Sequence, residues 1–118
     1  MTRILLADDA PFMRMQCGRM LTALGYEVIE AENGRDAVAK YSQHRPDAVL
    51  LDVTMPELDG IAALRQIKEL DPDARIAMVS ALGQQRVVME ALQAGARDFV
   101  MKPFVPDRIL AAVANLMG

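Results

Sequence analysis

The chain has 118 residues, 53% of them hydrophobic, which fits one domain spanning 1–118 with a substantial apolar core. Its net charge of −3 comes from 13 basic and 16 acidic residues mixed along the chain, so no nucleic-acid footprint and no patch for an acidic membrane is expected. A single cysteine, Cys17, rules out an internal disulfide and suits a reducing cytoplasm. The opening MTRILLADD carries one basic residue before it reaches acid, so no secretory leader is expected, and no apolar run is long enough to span a bilayer.

Residues 3–7 (RILLA) predict a strand. In 11–24, Met13, Cys17, Met20, Leu21 and Leu24 recur three and four apart and mark one face of a helix, with Cys17 as a packing residue. A strand at 27–31 (EVIEA) precedes a helix at 34–44, near whose end His44 reads as solvated and without a role. Next come a strand at 48–52 (AVLLD), a helix at 59–70, a strand at 75–80 (RIAMVS), a helix at 83–94, a strand at 98–101 (DFVM) and a helix at 106–117. Pro106 suits the first turn of that last helix. Gly25, Gly60 and Gly95 stand where turns or helix ends are expected. Met78 and Met101 read as core filler, while Met89 offers adaptable contact area. The order is β-α five times over. The first, third and fourth strands are almost wholly apolar, so both of their faces must be covered. That predicts an α/β, doubly wound, five-stranded parallel sheet with helices on both faces and right-handed crossovers.

In such a sheet, function gathers at the carboxyl ends of the strands. The first strand ends in Asp8 and Asp9, the third in Asp52 and the fourth in Ser80; Lys102 and Pro103 follow the fifth. Taken singly, these residues read as a turn or helix cap, a turn hydroxyl and a solvated lysine. Together at one edge they point to a site. If the first and third strands are neighbours, three carboxylates crowd together, and at an effective dielectric of about 20 each like-charge pair near 4 Å costs roughly 4 kcal/mol. A divalent cation offsets that cost, and hard oxygen ligands with room for water and a phosphate suit Mg²⁺. The lone histidine, far from this edge, argues against zinc or copper. A cation, an ammonium and a hydroxyl around one point suit the oxygens of a phosphoryl group, and a carboxylate can accept that group as an acyl phosphate. There is no GxxxxGK[ST] and no GxGxxG, so the phosphoryl group is expected on a donor protein or small molecule.

With these residues in order, the chain resembles the response-regulator receiver domains over essentially its whole length. The carriers are LLADDAPFMR, LLDVTMPELDG, VSALG and ALQAGARDFVMKPF. The resemblance implies a flavodoxin-like (βα)5 fold with strand order 2-1-3-4-5. It implies Asp52 as the phosphoacceptor, with Lys102 and Ser80 as the groups that engage the phosphoryl oxygens. Asp9, Asp52 and the backbone carbonyl of Thr54 would bind Mg²⁺ directly, and Asp8 through a metal-bound water. Ser80 and Phe99 would form the switch, and the peptide bond between Lys102 and Pro103 would be cis. The chain departs from many members in having Phe99 where they have tyrosine. It also has Thr54 and the apolar Leu82 at the two positions that tune loss of the phosphoryl group.

Within the family, DDAPFMRM, DVTMPELDG and SALGQQ look most like the single-domain chemotaxis regulators. The chain stops soon after its fifth helix, where no DNA-binding output domain is expected. The implied activity is signalling rather than enzymatic. A chemotaxis histidine kinase would phosphorylate Asp52 in a Mg²⁺-dependent step. The surface of the fourth helix, fifth strand and fifth helix would then bind the flagellar motor switch protein, and a dedicated phosphatase could reset it. A cytoplasmic monomer is expected. The alternatives are a phosphorelay intermediate, a receiver domain of a chemotaxis methylesterase, or a metal-dependent phosphohydrolase of the aspartyl-phosphate type. Val53 and Thr54 after Asp52 speak against the last, which needs further acids there.

Overall fold

The computed structural model describes residues 2–81, 83–103 and 105–118. Its elements run β1 (Arg3–Ala7), α1 (Pro11–Ala23), β2 (Glu27–Ala31), α2 (Gly34–His44), β3 (Ala48–Leu51), α3 (Gly60–Leu70), β4 (Ile76–Ser80), α4 (Gln85–Gln93), β5 (Asp98–Met101) and α5 (Pro106–Met117). All four strand pairings are parallel and the order is β2-β1-β3-β4-β5. This is the doubly wound fold that the alternation and the resemblance imply.

Strand periodicity of two divides the core. On one face, Leu5, Ala7, Val49, Leu51, Ile76 and Met78 pack against α2, α3 and α4. On the other, Ile4, Leu6, Ala48, Leu50, Ala77, Val79 and Val100 pack against Cys17 and Leu21 of α1 and Ile109, Ala112, Val113 and Leu116 of α5. β3 and β4 are buried along their full length, as strands covered on both faces must be.

Local chemistry sets the helix ends. Pro11 and Pro106 open α1 and α5. The Asn33 and Asp59 side chains accept the Asp36 and Ala62 amides at 2.7 and 2.9 Å and so cap α2 and α3. Asp59 is therefore the cap and not the first residue of α3. α4 begins two residues later than the spacing suggests, because Gln84 is its extended N-cap. α1 stops one residue early: Leu24 is its C-cap and is 54% exposed, since Gly25 (φ +92°) turns the chain away before Leu24 can face the core. Met101, expected inside, is 46% exposed. It ends the edge strand β5, and its side chain lies across Gly83, where a Cβ would meet it. Met78 is fully buried, in keeping with its reading as core filler.

Gly60 makes one close approach that bears on Asp52. The Gly60 amide donates to the Val53 carbonyl at 2.7 Å, and a Cβ on Gly60 would fall on the carbonyl oxygen of Asp52. The start of α3 is thus pressed against the segment that carries Asp52, at a distance only glycine permits. Gly60→Ala is expected to cost about 1–3 kcal/mol, as an added methyl in a tight contact does. Urea unfolding measures it, and the amide resonances of Asp52 to Thr54 should shift with it.

β5 is tied to α5 by a two-pronged ion pair. Arg108 Nη1 and Nη2 donate to Asp98 Oδ2 and Oδ1 at 3.1 and 2.9 Å, and Nη2 also donates to the Phe99 carbonyl at 3.2 Å. The hydrogen bonds from Arg108 hold the Asp98 carboxyl below its usual range. A depressed carboxyl stabilises the fold above its unfolded pKa, and that stability is lost as pH falls through the folded value. Asp98→Asn is therefore expected to lose about 1 kcal/mol at pH 7, with Arg108 partly solvated. The gap to wild type should close below about pH 4. Parallel denaturation curves at the two pH values check it.

Candidate functional site

The register of the sheet assembles the acidic edge. Ala7 pairs with Leu51, so Asp8 and Asp52 emerge side by side from adjacent strands, and the Asp52 amide donates back to the Ala7 carbonyl at 3.0 Å. The strand order reverses between β1 and β3, the position at which open α/β sheets leave a crevice beyond their carboxyl ends. Asp8 and Asp52 are 5% and 7% exposed, while Asp9 is exposed. Ligand oxygens of Asp8, Asp9 and Asp52 all lie within 4.8 Å of one another.

Lys102 enters from two strands away. β5 is separated from β3 by β4, a gap of about 10 Å, and only a long side chain crosses it. The Lys102 amide donates to the Ser80 carbonyl at 2.8 Å, which anchors its backbone at the end of β4. Its Nζ then reaches Asp8 Oδ2 at 2.7 Å and Asp52 Oδ2 at 3.1 Å. The following peptide bond, Lys102–Pro103, is cis.

The charges act on one another. Burial pushes the Asp52 carboxyl above its usual range; the Lys102 ammonium opposes the shift and Asp8 adds to it. Burial works to lower the Lys102 pKa, but its bonds to Asp8 and Asp52 outweigh that and leave it above the ordinary lysine value. Lys102 is therefore held as a cation, a positive bridge between two buried acids. The Thr54 amide approaches Asp52 Oδ1 at 3.4 Å. Asp8 Oδ1 accepts the Ala10 amide at 2.9 Å.

The donor set fits a hard divalent cation. It consists of carboxylate oxygens, two of the three acids buried and one open to solvent, with neither sulfur nor imidazole in the cluster. Ser80, at the end of β4, is 1% exposed. By the alternation of Ile76 and Met78 its side chain faces the α4 side of the sheet, as does the partly buried Phe99, which packs on that core. Ser80 ends β4, and the Lys102 amide bonds its carbonyl at that same end of the sheet. Leu82, read as a tuning position, lies outside the described residues. His44, at the end of α2, is remote from the cluster. Cys17 packs in the α1–α5 core, and burial pushes its thiol up, so it stays protonated.

Two contributors were not legible in the sequence. Gly60 read only as a turn or helix-end residue, whereas its lack of a side chain lets α3 approach Asp52. Arg14 carried no signal of its own in the sequence, yet its guanidinium donates to the Asp8 carbonyl at 2.7 Å; nothing in residue spacing signals a bond to a main-chain carbonyl six positions earlier.

The family model for the response regulator receiver domain matches residues 4–114. The chain belongs to this family, and its fold is that of a receiver, the signalling module of two-component systems. Its relatives place it more narrowly. It is 57% identical over 117 residues to the chemotaxis protein CheY of Bacillus subtilis, covering 98% of both chains. It is 52% identical over 112 residues to CheY of Thermotoga maritima, covering 94% of this chain and 93% of that one. The crystal structure of the CheX–CheY–BeF3–Mg complex from Borrelia burgdorferi superposes with a TM-score of 0.95 at 38% identity, covering 99% of this chain and 90% of that one. By these comparisons it is similar to the CheY-type chemotaxis response regulators. Among the described residues no helix is long and apolar enough to cross a membrane.

Proposed function

We propose that Asp52 accepts a phosphoryl group from a chemotaxis histidine kinase, and that the phosphorylated protein binds the flagellar motor switch. The observation that carries the reading is the placing of Asp52, a buried carboxylate, within reach of two further acids and the Lys102 ammonium. An Asp52 carboxylate oxygen attacks phosphorus, the P–N bond of the phosphohistidine breaks, and its electron pair passes to the imidazole, which takes up a proton. The product is an acyl phosphate. Asp8, Asp9, Asp52 and the Thr54 carbonyl would hold Mg²⁺, which when bound supplies positive charge to the phosphoryl oxygens. Lys102, already a cation against Asp52, neutralises a further oxygen. Hydrolysis by water breaks the P–O bond and restores the carboxylate.

Phosphorylation brings up to about two negative charges to this edge. Ser80 would turn to the new oxygens and Phe99 would follow, altering the face built from α4, β5 and α5. That face carries exposed apolar side chains at Met89, Leu92, Met101 and Val105, which supports its use as a contact surface. The Borrelia burgdorferi relative is a complex with CheX, beryllium fluoride and magnesium, which supports an activated state of this kind and a regulatory partner, here a dedicated phosphatase.

The test is amide NMR with Mg²⁺ and beryllium fluoride, followed by titration of the receiver-binding peptide of the flagellar switch. The expected result is a shift of the Asp52, Ser80 and Phe99 resonances and peptide binding only in the fluoride state. Fluoride shifts without peptide binding would redirect the output to a phosphorelay. Absence of fluoride shifts would overturn the phosphoacceptor reading itself.

A further inference from the structure

Asp9 is the least supported of the three acids. It is exposed, and among the described residues no hydrogen bond or ion pair holds its carboxylate. Its place in the cluster is set by the backbone that carries it, and that backbone is fixed through Asp8. The Asp8 amide donates to the Ala31 carbonyl at 3.1 Å, and the two carboxylate oxygens are taken by Ala10 and Lys102. The remaining polar group of Asp8 is its carbonyl, the oxygen of the Asp8–Asp9 peptide. Arg14 Nη1 donates to it at 2.7 Å. The same guanidinium is held from behind, because Nε donates to Glu30 Oε1 of β2 at 3.1 Å. The Arg14 side chain is only 16% exposed, and its own amide is bonded to the Ala10 carbonyl in the first turn of α1.

We infer that Arg14 is a positioning residue for the cation site: it locks the plane of the Asp8–Asp9 peptide and so presents Asp9 to the ion. The inference rests on the metal reading of the acidic cluster and adds a residue to it. A fork is required, since one guanidinium serves the main-chain carbonyl of Asp8, just past β1, and the carboxylate of Glu30 in β2, which an ammonium does not reproduce.

A positioning role predicts a sign that simple electrostatics reverses. Arg14 is a cation near three carboxylates. Removing its charge deepens the negative potential, and on charge alone Arg14→Met binds a divalent cation more tightly. If Arg14 instead positions Asp9, the ion must order a loosened peptide when it binds, and affinity falls.

The experiment is a Mg²⁺ titration without phosphodonor, at constant ionic strength, read from the amide resonances of Asp52 and Thr54. Arg14→Met is expected to bind Mg²⁺ about five- to tenfold more weakly than wild type, and Arg14→Lys about threefold more weakly despite its charge. Arg19→Met removes an exposed cation from the same helix and is expected to bind at least as tightly as wild type. In the metal-free protein, the Asp9 amide should show increased fast motion in both Arg14 variants. Wild-type or tighter affinity in Arg14→Met overturns the inference. If that variant does not fold, Arg14→Lys decides it by the same criterion. Failure of the wild-type protein to bind Mg²⁺ would instead remove the metal reading on which the inference stands.

Discussion

Asp52→Asn is expected to abolish phosphoryl uptake from a small phosphodonor in the presence of Mg²⁺, by at least about a hundredfold, because an amide has no anionic oxygen to attack phosphorus. Radiolabelling or intact-mass measurement reads this directly. Labelling retained in the variant would move the acceptor elsewhere, and labelling indifferent to a chelator would remove the cation from the reaction. The same substitution should raise stability. The Asp52 carboxyl lies above its usual range in the folded protein, mainly through burial. A raised carboxyl means that ionisation costs folding free energy. That cost is absent below the unfolded pKa near 4 and complete above the folded value. Asp52→Asn should therefore be more stable than wild type by about 1 kcal/mol at pH 7, a few degrees in Tm, and no more stable near pH 3. Function and stability move in opposite directions at one residue, as expected where charge is held against its preference for water.

The second large effect belongs to Lys102. Its ammonium is the positive bridge between Asp8 and Asp52, with only 16% of its side chain exposed. Lys102→Met removes the cation and leaves two buried carboxylates facing each other. Deleting one partner of a buried ion pair costs about 3 kcal/mol. The Asp52 carboxyl, already raised by burial, then loses the ammonium that opposes the shift, so the variant should gain more stability than wild type does as pH is lowered from 7 towards 5. Mg²⁺ should raise its Tm by more than it raises that of wild type, because no ammonium competes for the same oxygens. Thermal unfolding with and without Mg²⁺ measures both. A variant as stable as wild type at pH 7 would mean that Asp8 and Asp52 are better solvated than their burial implies.

These two expectations rest on residues that were visible in the sequence for different reasons. Asp8, Asp9 and Asp52 were legible because each ends a strand whose apolar run is unmistakable, and strand ends are where a doubly wound sheet leaves a crevice. Lys102 was legible by the same rule, although no pattern states that its side chain crosses two strands. Met101 was misjudged: an apolar residue at the end of a strand is not distinguishable by pattern as central or edge, and only the strand order shows that β5 is an edge. Leu24 failed similarly, because its helical spacing continues while the backbone turns at Gly25. Gly60 carried a correct signal for a helix end, but its close contact with the Asp52 carbonyl is a matter of distance between segments.

What the chain determines by itself is the alternation of elements, the parallel sheet and the list of acids at one edge. These follow from periodicity and from the burial of apolar runs, which are local properties of consecutive residues. The tertiary structure alone decides that Ala7 pairs with Leu51, that Lys102 bonds both acids, and that Arg14 reaches the Asp8 carbonyl. Each of these depends on register and on the direction of a long side chain between segments far apart in sequence, and no local preference encodes a distance across the sheet.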